Sequence, residues 1–274
     1  MATTHQPATL IARVAPPGLL GSGRARRLVE RNLMVYKHTW LIIFSGFFEP
    51  LFYLLSIGVG IGKLVGHVTG PGGHAIDYRA FVAPALLAAS AMNGAVYEST
   101  MNIFFKLKYA HTYDAILATP VGVGDVALGE IAWSLFRGVL YSTGFLIVMA
   151  ALGDVLSWWA ILALPAAVLI GFGFASIGMA CTTFMRSWQD FDFVQLAILP
   201  LFLFSSTFYP LATYPRWLQW VVECTPLFQG VALLRGLTTG TVDWGLAGHA
   251  LYLVLMGVVG VSVSSRRMAR LLLT

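Results

Sequence analysis

Three charged side chains, Glu49, Glu98 and Arg137, sit in stretches otherwise suited to hydrocarbon. A charge at the centre of a bilayer costs about 2.5–3.5 kcal/mol on insertion scales, so it must pair or meet water. Glu49 is followed by Pro50, which frees a backbone carbonyl and bends a helix. The carboxylate then either pairs with Arg137 or another polar group, or faces a transported molecule. Glu98 and Arg137 read either as rim charges or as a pair inside a bundle. Residues for bond-making chemistry do not converge. The six histidines are scattered, without a His-Glu-x-x-His helix. The two cysteines, Cys181 and Cys224, are expected at different depths, one inside a span and one in a loop, forming neither a disulfide nor a metal site. No Gly-x-x-x-x-Gly-Lys-Ser/Thr phosphate loop occurs, and neither Gly21-Ser22-Gly23 nor the Gly122/Gly124 pair has the context of an active site.

The elements that must carry these residues are hydrophobic helices. The chain has 274 residues, of which 58% are hydrophobic and 11% charged, against about 25% charged in soluble domains. A hydrocarbon core about 30 Å thick takes roughly 20 apolar residues per helix. Six stretches qualify: Leu41 to Ile61, Phe81 to Met101, Ile131 to Leu152, Trp158 to Phe184, Phe193 to Phe208 and Leu246 to Val263. The expected fold class is therefore an all-α membrane protein with six transmembrane helices. The net charge of +5 follows orientation rather than nucleic-acid binding. Arg13, Arg24, Arg26, Arg27, Arg31 and Lys37 precede the first span; Lys106, Lys108, Arg186, Arg266, Arg267 and Arg270 flank even-numbered ends. Only Lys63, Arg79, Arg216 and Arg235 fall on the opposite side, which places both termini in the cytoplasm.

Residues 1–23 read as a disordered tail without a cleavable signal. From residue 24 to 40, Ala25, Leu28, Val29, Leu33, Tyr36 and Trp40 recur at helical spacing, predicting a basic amphipathic elbow helix on the inner surface. The stretch from Asn102 to Glu130 is too apolar for a linker. Tyr109, Tyr113, Ile116 and Leu117 recur at helical spacing before Thr119-Pro120, predicting a short surface-parallel helix whose apolar side covers the bundle mouth or enters a partner's groove. Between Thr207 and Asp243, proline breaks separate short apolar helices, with Pro215 suited to a helix start and Trp217 and Trp220 to the headgroup zone. These predict two outer re-entrant or interfacial helices before the last span. Glycines at 58, 60, 62 and 66, and Gly171, Ala175 and Gly178, offer close-packing faces.

This order resembles the type-2 family of ATP-binding-cassette (ABC-2) export permeases. The wording is similar to the nodulation-factor, lipo-oligosaccharide branch typified by NodJ. The matching text is Glu49-Pro50-Leu51-Phe52-Tyr53-Leu54-Leu55, Tyr113-Asp114-Ala115-Ile116-Leu117-Ala118-Thr119-Pro120, Leu128-Gly129-Glu130, Phe174 to Met179, Phe208-Tyr209-Pro210-Leu211 and Pro226-Leu227 to Leu234-Arg235. Ser206-Thr207 stands where the family has a small glycine-type residue. The resemblance implies a transmembrane domain over residues 24–274 acting as a permease half. Two copies form the pathway in the inner membrane, and two separate nucleotide-binding ATPase subunits carry the ATP and magnesium. The Phe104 to Thr119 segment would be the coupling helix, with Lys108, His111, Thr112, Tyr113, Asp114, Ile116 and Leu117 at the ATPase. Glu49, Tyr53, Phe204 and Phe208 would line the substrate path. The implied cargo is an amphipathic lipid, glycolipid or lipo-oligosaccharide, with multidrug efflux the alternative. A membrane enzyme acting on lipid-linked substrates, or a self-contained channel, lacks the convergent acid, base, metal or charge ring it needs.

Overall fold

Glycines and prolines set where the apolar helices stop. The computed structural model describes residues 28–34, 48, 51–119 and 121–272. Helix α1 occupies residues 28–34. Helix α2 runs Leu51–Val65, with a π-helical stretch over Leu54–Ile61. It ends at Gly66, whose φ of 71° lies in the region that glycine alone enters without strain. Strands β1 (His67–Thr69) and β2 (Ala75–Asp77) then pair antiparallel, with His67 opposite Asp77. Of the glycines at 58, 60, 62 and 66, the first three stay helical and only Gly66 breaks the helix, ahead of this hairpin.

Helix α3 covers Tyr78–Lys108, α4 Thr112–Leu117, α5 Val123–Ala151 and α6 Trp158–Thr182. Helices α7 (Phe191–Leu203), α8 (Arg216–Cys224), α9 (Pro226–Thr239) and α10 (Trp244–Leu272) complete the chain. Caps fix several starts: the Gly122 amide donates to Asp125 Oδ2 at 3.1 Å before α5, and Thr225 Oγ1 accepts from the Phe228 amide at 3.4 Å before α9.

Among the described residues, four helices are long and apolar enough to cross a membrane: α3, α5, α6 and α10. The expected second span stretches past Met101 to Lys108, because no breaker intervenes until the corner at His111, where φ is 46°. The segment from Phe104 to Thr119 is therefore not one surface helix. Its first part extends α3, and only Thr112–Leu117 is a separate helix. The third span begins earlier, at Val123, and the sixth ends later, at Leu272. The fourth stops at Thr182. The fifth is thirteen residues, about 20 Å long. It stops at Leu203 before the non-helical Ser205-Ser206-Thr207 segment, in which Ser206 has φ 58°. Residues 41–47, 49 and 50 of the first span, and the tail to residue 23, lie outside the described residues. Cys224 closes α8 rather than lying in a loop, and both cysteines are free.

Helix α6 is the hub. A methyl group placed on Gly178 would lie 2.2 Å from Ser99 Oγ of α3, and one on Gly260 of α10 would lie 2.6 Å from the Ser176 carbonyl carbon of α6. Backbones approach this closely only where side chains are missing. Hydroxyls then bridge the helices: Thr182 Oγ1 donates to Ser99 O at 3.0 Å, and Ser264 Oγ to Ser176 O at 3.2 Å. The core between them is filled by Phe81, Leu87, Met92, Phe145, Ile170 and Met179.

The helix ends sort into two groups. Lys106 meets Glu130, and Arg267 stacks over Phe184, so the ends of α3, α6 and α10 and the start of α5 share one end of the bundle. Lys106, Lys108, Arg186, Arg266, Arg267 and Arg270 all gather there. The hairpin, α8 and the start of α6 lie at the other end, where Arg79 Nε contacts Asp154 at 2.6 Å. The charge alternation in the sequence is thus a true segregation in space.

Candidate functional site

The basic end is closed by a buried polar knot. Lys106 of α3 donates to both Glu130 oxygens of α5, at 2.8 and 3.0 Å. Asn32 of α1 donates to Glu130 Oε2 at 3.3 Å and accepts from Lys106 Nζ at 3.5 Å. Asn32, Lys106, Glu130 and Tyr113 of α4 are all buried. Burial, followed by the neighbouring Glu130 charge, pushes the Tyr113 phenol well above its ordinary range and keeps it protonated. One carboxylate therefore ties α1 to two spans, and Tyr113 of α4 is buried beside it, its hydroxyl without a hydrogen-bond partner among the described residues.

The sequence rule finds the residue types at this end but not their orientation. Extended past Met101, the helical spacing Ser99, Ile103, Lys106 places Lys106 on the packed face; all three are buried. Read as a loop, it looks like a solvated charge. The elbow face is also turned. Leu28 and Asn32 are buried while Leu33 is exposed, so the polar Asn32 points inward and an expected apolar residue points out. The other elbow positions, Ala25, Tyr36 and Trp40, lie outside the described residues.

Helix α4 lays its apolar side on the bundle. Tyr113 is buried, and Ile116 and Leu117 pack against the core. What faces away is Lys108, Tyr109, His111, Asp114, Ala115 and Ala118, all exposed, with Thr112 half-buried. His111 Nδ1 and Asp114 Oδ2 are 3.0 Å apart, an exposed pair bracing the corner. The surface that α4 leaves open is polar and small-residue, with Tyr109 at its edge.

Deeper in the bundle, the Glu98 carboxylate pairs with the Arg137 guanidinium and accepts from the Asn102 amide. Arg137 Nη2 also donates to Tyr141 Oη at 2.9 Å. Of the two readings of these charges, the structure selects the internal pair. Glu98 begins a π-helical stretch, Glu98–Asn102, which locally widens α3 where the pair forms. Glu49 lies outside the described residues.

Three of the four expected path residues share one aromatic strip. Tyr53 of α2 contacts Phe202 of α7 with ring centroids 6.0 Å apart, and Phe202 contacts Phe208 edge-on at 5.3 Å. The strip continues through Tyr209 and Tyr214 to Phe204, with centroid separations of 6.5, 5.6 and 6.4 Å. Tyr53, Phe204 and Tyr209 remain partly open to the surroundings. Within the strip, Tyr214 has its phenol pushed up to about 12, first by burial and then by Tyr209. The side is apolar rings edged with neutral hydroxyls, suited to an amphiphile's chain and polar rim.

Arg235, expected as an outer-side surface charge, is instead buried in α9. Its Nε donates to Phe81 O at 3.1 Å and its Nη2 to Ser206 O at 2.8 Å, while the guanidinium lies 3.7 Å over the Phe81 ring. It pins the non-helical segment after α7 to α3. Its place in the Leu227, Val231, Leu234, Thr238 buried stripe of α9 is the sequence signal. Replacing Arg235 by Leu leaves two carbonyls without donors and is expected to lower the apparent melting temperature, the loss corresponding to about 2–3 kcal/mol. A scan of the purified variant checks this, and an unchanged temperature would show that the clamp carries no stability.

Three spanning-length helices around a fourth, α6, charge sorted to one end and ionic groups paired inside define a multi-pass helical membrane protein. The chain belongs to the ABC-2 type transporter family, whose model matches residues 24–238. It is the transport membrane subunit of that system, not itself an enzyme, and such permeases work with a nucleotide-binding ATPase. Its relatives include Nodulation protein J of Rhizobium leguminosarum bv. trifolii, 33% identical over 248 residues, covering 88% of this chain and 92% of that protein. Nodulation protein J of Rhizobium meliloti (strain 1021) is 34% identical over 215 residues, covering 77% and 80%. The Neorhizobium galegae protein of the same name is 29% identical over 263 residues, covering 93% and 97%.

Proposed function

We propose that this chain is half of the membrane pathway of an ATP-driven exporter for an amphipathic lipid, glycolipid or lipo-oligosaccharide. The observation that carries the reading is the Asn32–Lys106–Glu130 knot, which joins α1 to two spans with Tyr113 of the exposed corner helix buried beside it. In this reading residues 24–40 form the elbow, and the segments around Leu51–Val65 and Phe191–Leu203 complete six spans, with α8 and α9 as re-entrant helices. Two copies pair in the inner membrane with both termini cytoplasmic. Two separate ATPase subunits bind ATP and magnesium and dock on α4, so that their closure moves α3 and α5. The aromatic strip from Tyr53 to Phe204, together with Glu49, lines the cargo's route. Its rings and hydroxyls favour an acyl chain bearing a polar head over an ion.

Docking is tested on residues that the fold does not need. His111→Glu with Asp114→Arg reverses the exposed charges and is expected to weaken copurification of the cognate ATPase about tenfold. Asp at Tyr113 would instead break the buried knot and report folding. Export itself is read in proteoliposomes containing both subunits, as ATP-dependent movement of a labelled lipo-oligosaccharide. ATP hydrolysis by the purified chain alone would sink the half-transporter assignment, and unchanged docking of the reversed-charge variant would remove α4 as the contact.

A further inference from the structure

We propose that the groove between α3, α6, α7 and α10 holds one acyl chain of an anionic phospholipid from the membrane leaflet at the basic end. Its headgroup is held by Arg186 and Arg267. The groove encloses about 690 Å³, well within the range of about 300–1,000 Å³ typical of small-molecule sites. It follows α7 from Phe193 to Leu201, about 12 Å, room for much of one acyl chain. Val96, Ile177, Cys181, Ala197 and Met256 form its apolar walls, and Pro226 lies at the end away from Arg186.

Its polarity is one-sided. The Thr100 hydroxyl in the wall is spent on Val96 O of its own helix at 2.6 Å. Otherwise the charged groups are Arg186 and Asp190, both at the basic end. Asp190 is already engaged: it accepts from the Arg186 amide at 2.6 Å, the Ser187 amide at 3.2 Å and Ser187 Oγ at 3.3 Å. These amide bonds hold its carboxyl below the usual range, so it stays an occupied anion. The Arg186 guanidinium makes no salt bridge among the described residues, although its charge also favours the Asp190 anion. A second guanidinium, stacked on a wall residue, leaves this end with more positive than negative charge. Arg267 lies 4.1 Å over the ring of Phe184, itself a wall residue, with only a long 3.5 Å contact from Nη2 to Thr183 O. Its Nε is buried without a hydrogen-bond partner among the described residues.

An apolar cleft at hydrocarbon depth does not hold water, and a bilayer offers it acyl chains. One polar end means one headgroup, and surplus positive charge with an unspent donor selects an anionic one. The groove shares no lining residue with the Tyr53–Phe204 strip, and its occupancy requires no ATPase.

The test is native mass spectrometry of the detergent-purified full chain mixed with phosphatidylglycerol or phosphatidylcholine of identical acyl chains. The parent is expected to retain one phosphatidylglycerol in preference to phosphatidylcholine. Arg186→Gln/Arg267→Gln should lose about tenfold in phosphatidylglycerol retention and fall to the phosphatidylcholine level. Arg186 is exposed, so Arg186→Gln alone carries the test if the double variant fails to fold. Ala197→Trp, which fills the groove, should abolish retention of both lipids. Maleimide labelling of Cys181, exposed on the wall, should slow when phosphatidylglycerol is bound, while Cys224 outside the groove labels as before. Equal retention of the two lipids by the parent, or retention by Ala197→Trp, overturns the proposal. So does release of the lipid on ATP turnover with the ATPase subunit, which would make the occupant cargo, or dissociation of a dimer by Ala197→Trp, which would make it a second copy.

Discussion

Lys106→Met is expected to lose most of the folded protein, whereas Lys106→Met/Glu130→Met recovers it. Glu130 is 2% exposed, and Lys106 is its cationic partner at 2.8 Å. Removing that partner strands a carboxylate away from water, which costs about 3–5 kcal/mol. The double replacement removes both charges and fills the space with apolar chains of similar length, which is often neutral. Asn32 then has lost both partners, so recovery is incomplete. The measurement is the monodisperse peak in detergent size-exclusion chromatography after a temperature series. Folded yield for Lys106→Met equal to the parent would show that Glu130 is protonated or hydrated and that the knot is not an ion pair. The double variant also separates folding from coupling. It should retain its fold yet export poorly, because α1 and the two spans beside α4 no longer share a polar centre.

The second large effect comes from a missing side chain. Gly260→Val is expected to destabilise by about 3 kcal/mol, the upper end for overpacking, because the added group meets backbone that cannot rotate away. A Cβ there would lie 2.6 Å from the Ser176 carbonyl carbon and 2.8 Å from the Ile177 amide nitrogen. Helix α10 would have to leave α6, breaking the Ser264 to Ser176 bond with it. Gly248→Ala in the same helix is the control. Its Cβ meets nothing within 4 Å, so the change is expected to be neutral or to gain up to about 1 kcal/mol from helix propensity. Parallel melts of the two variants decide it. Equal stability would mean that the helices are not packed at Gly260.

Much of the candidate site was legible as residue type and little as direction. Tyr113, Ile116 and Leu117 announce a short amphipathic helix, and a helix is there at Thr112–Leu117. The same periodicity cannot say whether its apolar face meets the bundle or a foreign groove, since both are dry. The bundle takes it. Glu98 and Arg137 stand out as charges in apolar text, but 39 residues separate them, and only the antiparallel register of α3 and α5 brings them together. Lys106 was hidden for a different reason. A lysine just past a span reads as a rim charge, and only the uninterrupted turn from α3 through Met101 carries it onto the packed face. The extra hairpin escaped notice because its two strands are three residues each, too short for alternation to register.

By itself, the sequence determined the solvent, the class and which span ends carry the positive charge. Those properties are sums along the chain, of apolar area and of charge near span ends, and hydrocarbon thickness turns the sums into spans. It also carried the family, through an ordered set of short motifs from Glu49-Pro50 to Leu234-Arg235. The tertiary structure decided which charges are partners, which face of α4 is free, that Arg235 is a buried clamp, and that α7 stands off from α3, α6 and α10 to leave a groove. Those are pairwise matters of depth and azimuth. Hydropathy is blind to both, because every face of a spanning helix is apolar whether it meets lipid or another helix.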